Sequence, residues 1–242
     1  MYALLDQLAG SPALSAIGQA NQNPAFTPPG ILVTAVDPWW GAGEFVYAYA
    51  SGTIREFGLC TLTPTFQTNQ WRYDAAETAA TANTGRSIAV AMQAMTAGQL
   101  GWFCITGIVP LNSNAAVASG VAIGVAAAGQ GGANVAGRQI LSIDCLGDSS
   151  TTVIKTNCTA ASSSTLLQVP NSDGWFAGIY LSGTGIAAGT KVTSVDGSGR
   201  FVTLSAATTA AVAGSVTGTP NNGTIFYNKV RLNRPFVQGA IT

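Results

Sequence analysis

The sequence predicts an all-β fold: a compact β-barrel or jelly-roll-like domain with an inserted small β domain and an extended N-terminal arm. From Ile31 onward, short stretches of alternating apolar residues follow one another, and turns rich in Gly and Asn separate them. The periodicity of a long amphipathic helix is missing beyond the first 30 residues. Short, closely spaced strands of this kind are typical of sandwiches and barrels.

Residues 1–30 differ from the rest of the chain and form the predicted arm. The stretch "QANQNPAFTPPG" is polar and rich in proline, so we expect it to be extended. The stretch "YALLDQLAG" before it predicts a short helix with four apolar residues on one side. We expect that side to contact a partner, and a disordered terminus is the alternative. The four arm residues are Tyr2, Leu4, Leu5 and Leu8.

Residues 31–147 carry the strands of the predicted barrel. In "LGWFCITGIVPL" both faces are apolar, with Trp102 and Cys104 on one side and Phe103 and Ile105 on the other. We therefore expect this strand to be buried. The Gly-rich "GVAAAGQGGANVAG" is interpreted as a flexible hairpin loop. The other sets predicted to share a face are Phe45, Tyr47 and Tyr49; Ile88, Val90 and Met92; Val121, Ile123 and Val125; and Leu141, Ile143 and Cys145.

Residues 148–222 have a different composition, dominated by Ser, Thr, Ala and Gly. Residues 196–199, with the sequence Asp-Gly-Ser-Gly, predict a hairpin turn, because Gly adopts positive φ readily. Val202 and Leu204 lie on one face of the strand that follows. We expect a small β unit of about three to five strands here.

The tail, residues 223–242, recovers the charge and aromatic content of the first region. Its stretch "TIFYNKVRLNRPFVQ" predicts a strand with Val230 and Leu232 on one face and Lys229 and Arg231 on the other. We infer that this strand returns to the barrel, so that residues 148–222 are an insertion. Two domains in sequence, with the tail ending the second, are the alternative.

The charge content predicts a protein that buries its surface against other proteins. Only 8% of the residues are charged and the formal net charge is zero, so attraction to nucleic acid or to an anionic membrane is not expected. A weakly charged surface also gives little repulsion between molecules. A surface of Ser, Thr, Asn and Gln in place of charges is the alternative explanation.

The residues available for chemistry argue against an enzyme. The chain has no histidine, which excludes Ser-His-Asp and Cys-His nucleophiles. Carboxylates remain, and Asp74 and Glu77 share the predicted loop "WRYDAAET". Two carboxylates can hydrolyse a glycoside only when their environments separate their pKa values across a cleft. The spacing of three residues between Asp74 and Glu77 fits an exposed turn or a helix N-terminus better than a catalytic pair.

Four cysteines are present, at Cys60, Cys104, Cys145 and Cys158, and none forms a CxxC pair. The first three lie in apolar runs, so we expect core packing, with a disulfide as the alternative. No metal and no cofactor is expected. No basic region precedes an apolar stretch at the N-terminus, where Asp6 lies, so synthesis in a reducing cytoplasm without export is expected.

Tryptophan and arginine are favoured anchors in protein interfaces, and the chain places several in segments read as loops or at the tail. Two adjacent Trp residues follow Pro38, and in a strand they must point to opposite faces. A core role is the alternative for each Trp taken singly. Besides the arm residues, the interface candidates are Trp39, Trp40, Trp71, Arg72, Arg231 and Arg234.

The stretch "IAVAMQAMTAGQLGWFCITGIVPLNSNAAVASGVAIGVAAAGQ" resembles bacteriophage capsid decoration (cement) proteins. In that family a compact β-barrel has a "GxxGW" turn that enters a strand, and a Gly-x-Val/Ala-Pro segment follows. The resemblance covers roughly residues 85–145 and the final strand "VRLNRPFVQGAIT", and the insertion resembles Gly/Thr-rich β modules of phage head and tail proteins. The matching residues are Gly98, Gly101 and Trp102, then Gly107, Val109 and Pro110.

The resemblance implies a virion structural protein on the capsid surface. Such a protein binds the major capsid protein, clamps adjacent subunits of the shell and is often a homotrimer. The long arm and the large insertion depart from the small members of the family. A head or tail fibre or spike component that binds a host receptor is the alternative function, and a polysaccharide-degrading enzyme is a third.

Overall fold

A computed structural model of the chain describes residues 3–4, 29–37, 41–67, 70–79, 85–148, 152–219 and 226–237. Within these ranges the structure contains strands and no helix, which confirms the all-β prediction. No helix there is long and apolar enough to cross a membrane. The strands in chain order are β1 (Ala3–Leu4), β2 (Leu32–Asp37), β3 (Gly41–Ala50), β4 (Leu59–Gln67), β5 (Gln70–Glu77), β6 (Ser87–Ala91), β7 (Leu100–Ser113), β8 (Ile123–Ala127), β9 (Gln130–Ala133), β10 (Ile140–Asp148), β11 (Val153–Ala160), β12 (Leu166–Gln168), β13 (Tyr180–Ser182), β14 (Val192–Val195), β15 (Phe201–Leu204), β16 (Val212–Thr219) and β17 (Phe226–Val237).

The chain divides into two compact units. One lies within Ser150–Phe226, and the other within Tyr2–Ser149 together with Tyr227–Thr242. Strands β1–β10 and β17 belong to an 11-stranded sheet, and β11–β16 form a separate six-stranded sheet. The six-stranded unit is therefore inserted between β10 and β17, which pair with each other in antiparallel register.

Five strands of the first unit close into a ring, called the first barrel here. β3 pairs with β5 in parallel, and the antiparallel pairs β5–β4, β4–β6, β6–β7 and β7–β3 complete the circuit. β7 is buried along most of its length, as its apolar faces predict. Trp102 and Tyr47 contact each other on the face of β7 and β3 that points away from the barrel interior, with ring centroids 4.9 Å apart. Both side chains are buried.

The interior of the first barrel is filled mainly by small side chains. Five of its buried residues are alanines, which suits the narrow bore of a ring of so few strands. Phe103 is the one aromatic ring in this cluster, and Ile54 and Met95 exchange two backbone hydrogen bonds of 2.8 Å beside it. The full cluster is Val46, Ala48, Ala50, Ile54, Cys60, Leu62, Ala75, Ala89, Ala91, Met95 and Phe103.

The second unit is a nearly closed barrel of six strands in the order β13-β16-β11-β12-β15-β14. A bridge between Tyr180 and Lys191 joins the two outermost strands. The expectation of about three to five strands is therefore too low. Trp175 lies in its core and donates a hydrogen bond from Nε1 to the carbonyl oxygen of Val153, at 3.1 Å. The predicted hairpin turn is confirmed: the amide of Asp196 donates to the carbonyl of Phe201, and Gly199 has φ of +67°.

Two local predictions are wrong, and a third is correct only in part. Ala3 and Leu4 form β1, which pairs with β2, so the short helix does not extend over these residues. "WRYDAAET" is not a loop, because all but its last residue belongs to β5, where backbone pairing with β4 fixes an extended chain. The Gly-rich stretch 124–137 contains a hairpin, as predicted, but its residues up to 133 are paired in β8 and β9 and do not form a flexible loop, and Gly131 and Gly132 are buried.

Candidate functional site

The ten predicted interface residues fall into three groups. Tyr2, Leu5, Leu8, Trp39 and Trp40 lie outside the described residues. Two others are placed only as backbone: Leu4 in β1, and Trp71 in β5, opposite Phe66. Three arginines are described in full, namely Arg72, Arg231 and Arg234.

Arg72 is engaged inside its own unit. Its Nε lies 2.8 Å from Oδ1 of Asp74, and its guanidinium carbon lies 4.4 Å from the centre of the Tyr49 ring. Both partners of the ion pair are largely buried. A guanidinium held by a carboxylate and an aromatic face stabilises the β3–β5 junction and is little exposed to a partner.

Arg231 and Arg234 are exposed and carry ion pairs within the chain. Nη2 of Arg231 lies 2.6 Å from Oδ2 of Asp144, across the β10–β17 pair. Nη2 of Arg234 lies 3.2 Å from Oε2 of Glu44 on β3. Exposed ion pairs of this kind contribute only about 0.2–1 kcal/mol each, so either arginine can exchange its partner for another carboxylate at little cost.

The acidic residues considered for catalysis do not form a pair. Asp74 and Glu77 are three positions apart in one strand, so their side chains point to opposite faces of the sheet. Glu77 borders a pocket of ≈ 490 Å³, where its Oε1 accepts hydrogen bonds from the amide and from Nε of Arg55, both at 2.8 Å. Its Oε2 accepts a third bond from Nη2 of Arg55, at 3.1 Å. This carboxylate therefore secures the loop that carries Arg55.

All four cysteines are free and buried, which confirms the core interpretation over the disulfide. Burial raises the pKa of the Cys60 and Cys104 thiols well above the ordinary value, and Cys158 shifts the same way for the same reason. A thiol in this state is a poor nucleophile. Within the described ranges no group of three or more His, Cys, Asp or Glu side chains is placed to hold a metal ion.

The structure reveals an apolar surface that the sequence analysis did not identify. The β4–β5 hairpin extends past the end of the first barrel. Leu62 and Ala75 lie opposite each other in the barrel interior, and two residues further out Pro64 lies opposite Tyr73. Phe66 is two residues beyond Pro64 on the same face. The face that is interior at Leu62 is therefore open to solvent at the tip.

Pro64, Phe66 and Tyr73, called the hairpin face from here on, are all exposed, with 57% of Phe66 and 36% of Tyr73 accessible. The signal was present in the sequence, because "PTF" and "WRY" both alternate. Alternation identifies residues that share a face. It does not reveal that β4 and β5 extend beyond the neighbouring strands of the barrel, so that this face is exposed at the end of the hairpin.

The second unit has an exposed face of its own. Leu166 on β12 lies opposite Thr203, and Gln168 lies opposite Phe201 on β15, so these four side chains share the outer face of the second barrel. Leu166 and Phe201 are exposed there. This outer face combines apolar and uncharged polar groups.

Comparison with known proteins adds no identification. No protein-family model, curated protein or solved structure matches this chain.

Proposed function

We propose that the protein is a virion structural protein that binds the outer surface of a phage capsid and clamps adjacent major capsid protein subunits. The observation that carries this proposal is the hairpin face, where Phe66 and Tyr73 are exposed on the paired strands β4 and β5. Aromatic anchors on a preorganised element are favoured in protein interfaces, because ordering them on binding costs little conformational entropy.

The rest of the molecule supports a binding role. The chain is weakly charged. In the first unit, four carboxylates form ion pairs with arginines. The resemblance of residues 85–145 to decoration proteins points in the same direction. Many weak contacts repeated over a shell act together, so modest affinity at each hairpin face is sufficient for stable attachment. Protein that binds only the expanded shell also stabilises that state by mass action.

The alternative function, receptor binding by a fibre or spike component, has a specific observation in its favour. The outer face of the second barrel presents Phe201 beside Gln168 and Thr203. An exposed aromatic ring with amide and hydroxyl groups suits an uncharged ligand such as a sugar. The two functions therefore assign different surfaces to binding.

The test is a pair of double variants that remove one surface at a time. Phe66→Ser with Tyr73→Ser alters the hairpin face, and Leu166→Ser with Phe201→Ser alters the outer face of the second barrel. All four side chains are exposed, so both variants are expected to fold. Binding to purified expanded shells is measured by co-sedimentation.

We expect the hairpin variant to bind shells at least about tenfold more weakly, because truncating an interface anchor typically costs more than about 1 kcal/mol. The outer-face variant serves as the matched control and is expected to bind as the wild type does. Unchanged binding of the hairpin variant contradicts the proposal. Loss of binding only in the outer-face variant would show that the second barrel, and not the hairpin face, binds the shell.

A further inference from the structure

Lys155 in the second unit is a buried lysine whose hydrogen-bond partner is a side-chain amide. It lies in β11, and only 9% of its surface is exposed. Its Nζ donates a hydrogen bond of 2.6 Å to Oδ1 of Asn171, which lies between β12 and β13. Lysine is seldom buried to this extent, so the arrangement requires an explanation.

The segment that carries Asn171 is held against the start of β11. Ser172, the next residue, is fully buried, and its carbonyl oxygen accepts a hydrogen bond of 2.8 Å from the amide of Trp175. The indole of Trp175 in turn donates to the carbonyl oxygen of Val153, two residues before Lys155. These contacts position the Asn171 amide beside the Lys155 amine.

The amine nitrogen is close to the carbon of this amide as well as to its oxygen. A carbonyl bond is about 1.2 Å long, so Nζ, at 2.6 Å from Oδ1, lies within about 3.8 Å of Cγ of Asn171. Atoms about to react are typically about 3–3.5 Å apart. A small movement of the Lys155 side chain therefore brings Nζ to attacking distance from Cγ.

The surroundings of the pair favour that attack. Burial lowers the pKa of the Lys155 ammonium group, although Asp173 acts in the opposite direction, and the neutral amine is the nucleophilic form. The amide of Asp173 donates to Oδ1 of Asn171 at 3.3 Å, where it stabilises the negative charge that develops on this oxygen. Asn171 is exposed, so a released ammonia molecule has a path to solvent.

We propose that Lys155 and Asn171 form an isopeptide bond within the chain. The neutral Nζ attacks Cγ, the Nζ–Cγ bond forms and the Cγ–Nδ2 bond breaks. Nζ gives up two of the three protons of its ammonium form, the Asp173 carboxylate carries them to Nδ2, and Nδ2 leaves as ammonium. The reaction exchanges one amide for another, so it needs no oxidant, metal or cofactor.

The bond joins β11 to the segment that follows β12 and closes a loop of 16 residues. A covalent cross-link of this kind restricts the unfolded chain as a disulfide does, and all four cysteines of this chain are free. The bond lies inside the second unit and does not depend on shell binding. It can therefore be absent while the proposed function stands.

The test is the intact mass of the wild-type full chain, measured by mass spectrometry after incubation under native conditions. We expect a mass lower than that of the sequence by one ammonia molecule. Proteolysis should then release a branched peptide in which Lys155 is joined to Asn171. A mass equal to that of the sequence overturns the proposal. Loss of ammonia without the branched peptide also overturns it, because a cyclic imide at asparagine has the same mass.

Three variants examine the roles of the side chains. Lys155→Arg keeps the positive charge and the donor but lacks a nucleophilic amine, so it should keep the full mass of its sequence. Lys191→Arg is the matched control, because Lys191 lies over the Tyr180 ring in the same unit, and it should lose ammonia as the wild type does. Loss of ammonia that persists in Lys155→Arg contradicts the proposal. Asp173→Ala should form the bond at least about tenfold more slowly, and an unchanged rate overturns the role of Asp173 as proton carrier.

Discussion

At Gly107, β7 packs against the backbone of β3 and leaves no room for a side chain. Its φ is +117°, and a Cβ atom would lie 2.8 Å from the carbonyl oxygen of Ala42. The contact is with backbone, so no side chain can move aside to relieve it. This explains in physical terms why a glycine follows the buried Trp102 at this spacing.

We therefore expect Gly107→Ala to lower the free energy of unfolding by about 2 kcal/mol, the range typical of a strained backbone residue. Gly52→Ala is the control, because a Cβ at Gly52 meets nothing within 4 Å. Chemical denaturation followed by tryptophan fluorescence measures both. Equal stability of the two variants would contradict the assigned strain.

The carboxylate of Asp196 accepts four hydrogen bonds within the β14–β15 turn. Its Oδ1 accepts hydrogen bonds from the amides of Arg200 and Phe201, both at 2.9 Å, and its Oδ2 accepts from the amide and hydroxyl of Ser198. The Ser198 side chain first, then the backbone amides, lower the pKa of this carboxyl to about 2. Hydrogen bonds of this kind favour the ionised form.

A carboxyl whose pKa is lower in the folded state stabilises the fold above its unfolded pKa, and that contribution disappears as the pH falls through the folded value. We expect the melting temperature of the wild type to exceed that of Asp196→Asn by a constant amount above about pH 4. The difference should shrink between pH 4 and pH 2, because the Asp196 carboxyl becomes protonated as the pH approaches its folded-state pKa, whereas the amide that replaces it does not titrate. A difference that stays constant down to pH 2 would refute this assignment.

At the scale of single elements, the sequence was sufficient to predict the local structure wherever apolar patterning or turn residues indicate one element clearly. β7 is apolar on both faces and is buried on both, and the Asp-Gly-Ser-Gly segment forms the turn it predicts. β5 was missed because Arg72 and Asp74 made the segment look like a polar loop. In the structure they pair with each other, so two charged side chains are accommodated on one face of a strand.

β1 is an element whose structure the sequence pattern did not predict. The spacing of leucines near the N-terminus predicted a helix, but the open edge of β2 offers backbone partners to Ala3 and Leu4. A tertiary partner therefore decides the local structure, which periodicity in the sequence cannot reveal. The hairpin face was missed for a related reason, since its exposure depends on how far β4 and β5 extend beyond the barrel.

At the scale of the whole molecule, the insertion enters and leaves the first unit at neighbouring points. Asp148 at the end of β10 lies opposite Asn228 near the start of β17. The two strand ends are therefore already arranged as the arms of a hairpin, and the ring of strands in the first barrel includes no residue of the insertion.

Replacing residues 150–226 with Asn-Gly, which favours tight hairpin turns, should leave the first barrel folded. We expect the shortened protein to show a β-type circular dichroism spectrum and a single cooperative unfolding transition. The isolated segment 150–226 should behave in the same way, since it has its own core around Trp175. A shortened protein without cooperative unfolding would show that the first unit depends on the insertion.

The central claim is that the protein decorates a capsid in many copies. If the proposed function holds, the most direct measurement is the copy number of this protein in purified phage particles, by quantitative mass spectrometry against the major capsid protein. We predict a number of copies comparable to that of the shell protein. A few copies per particle, or none, would contradict the claim.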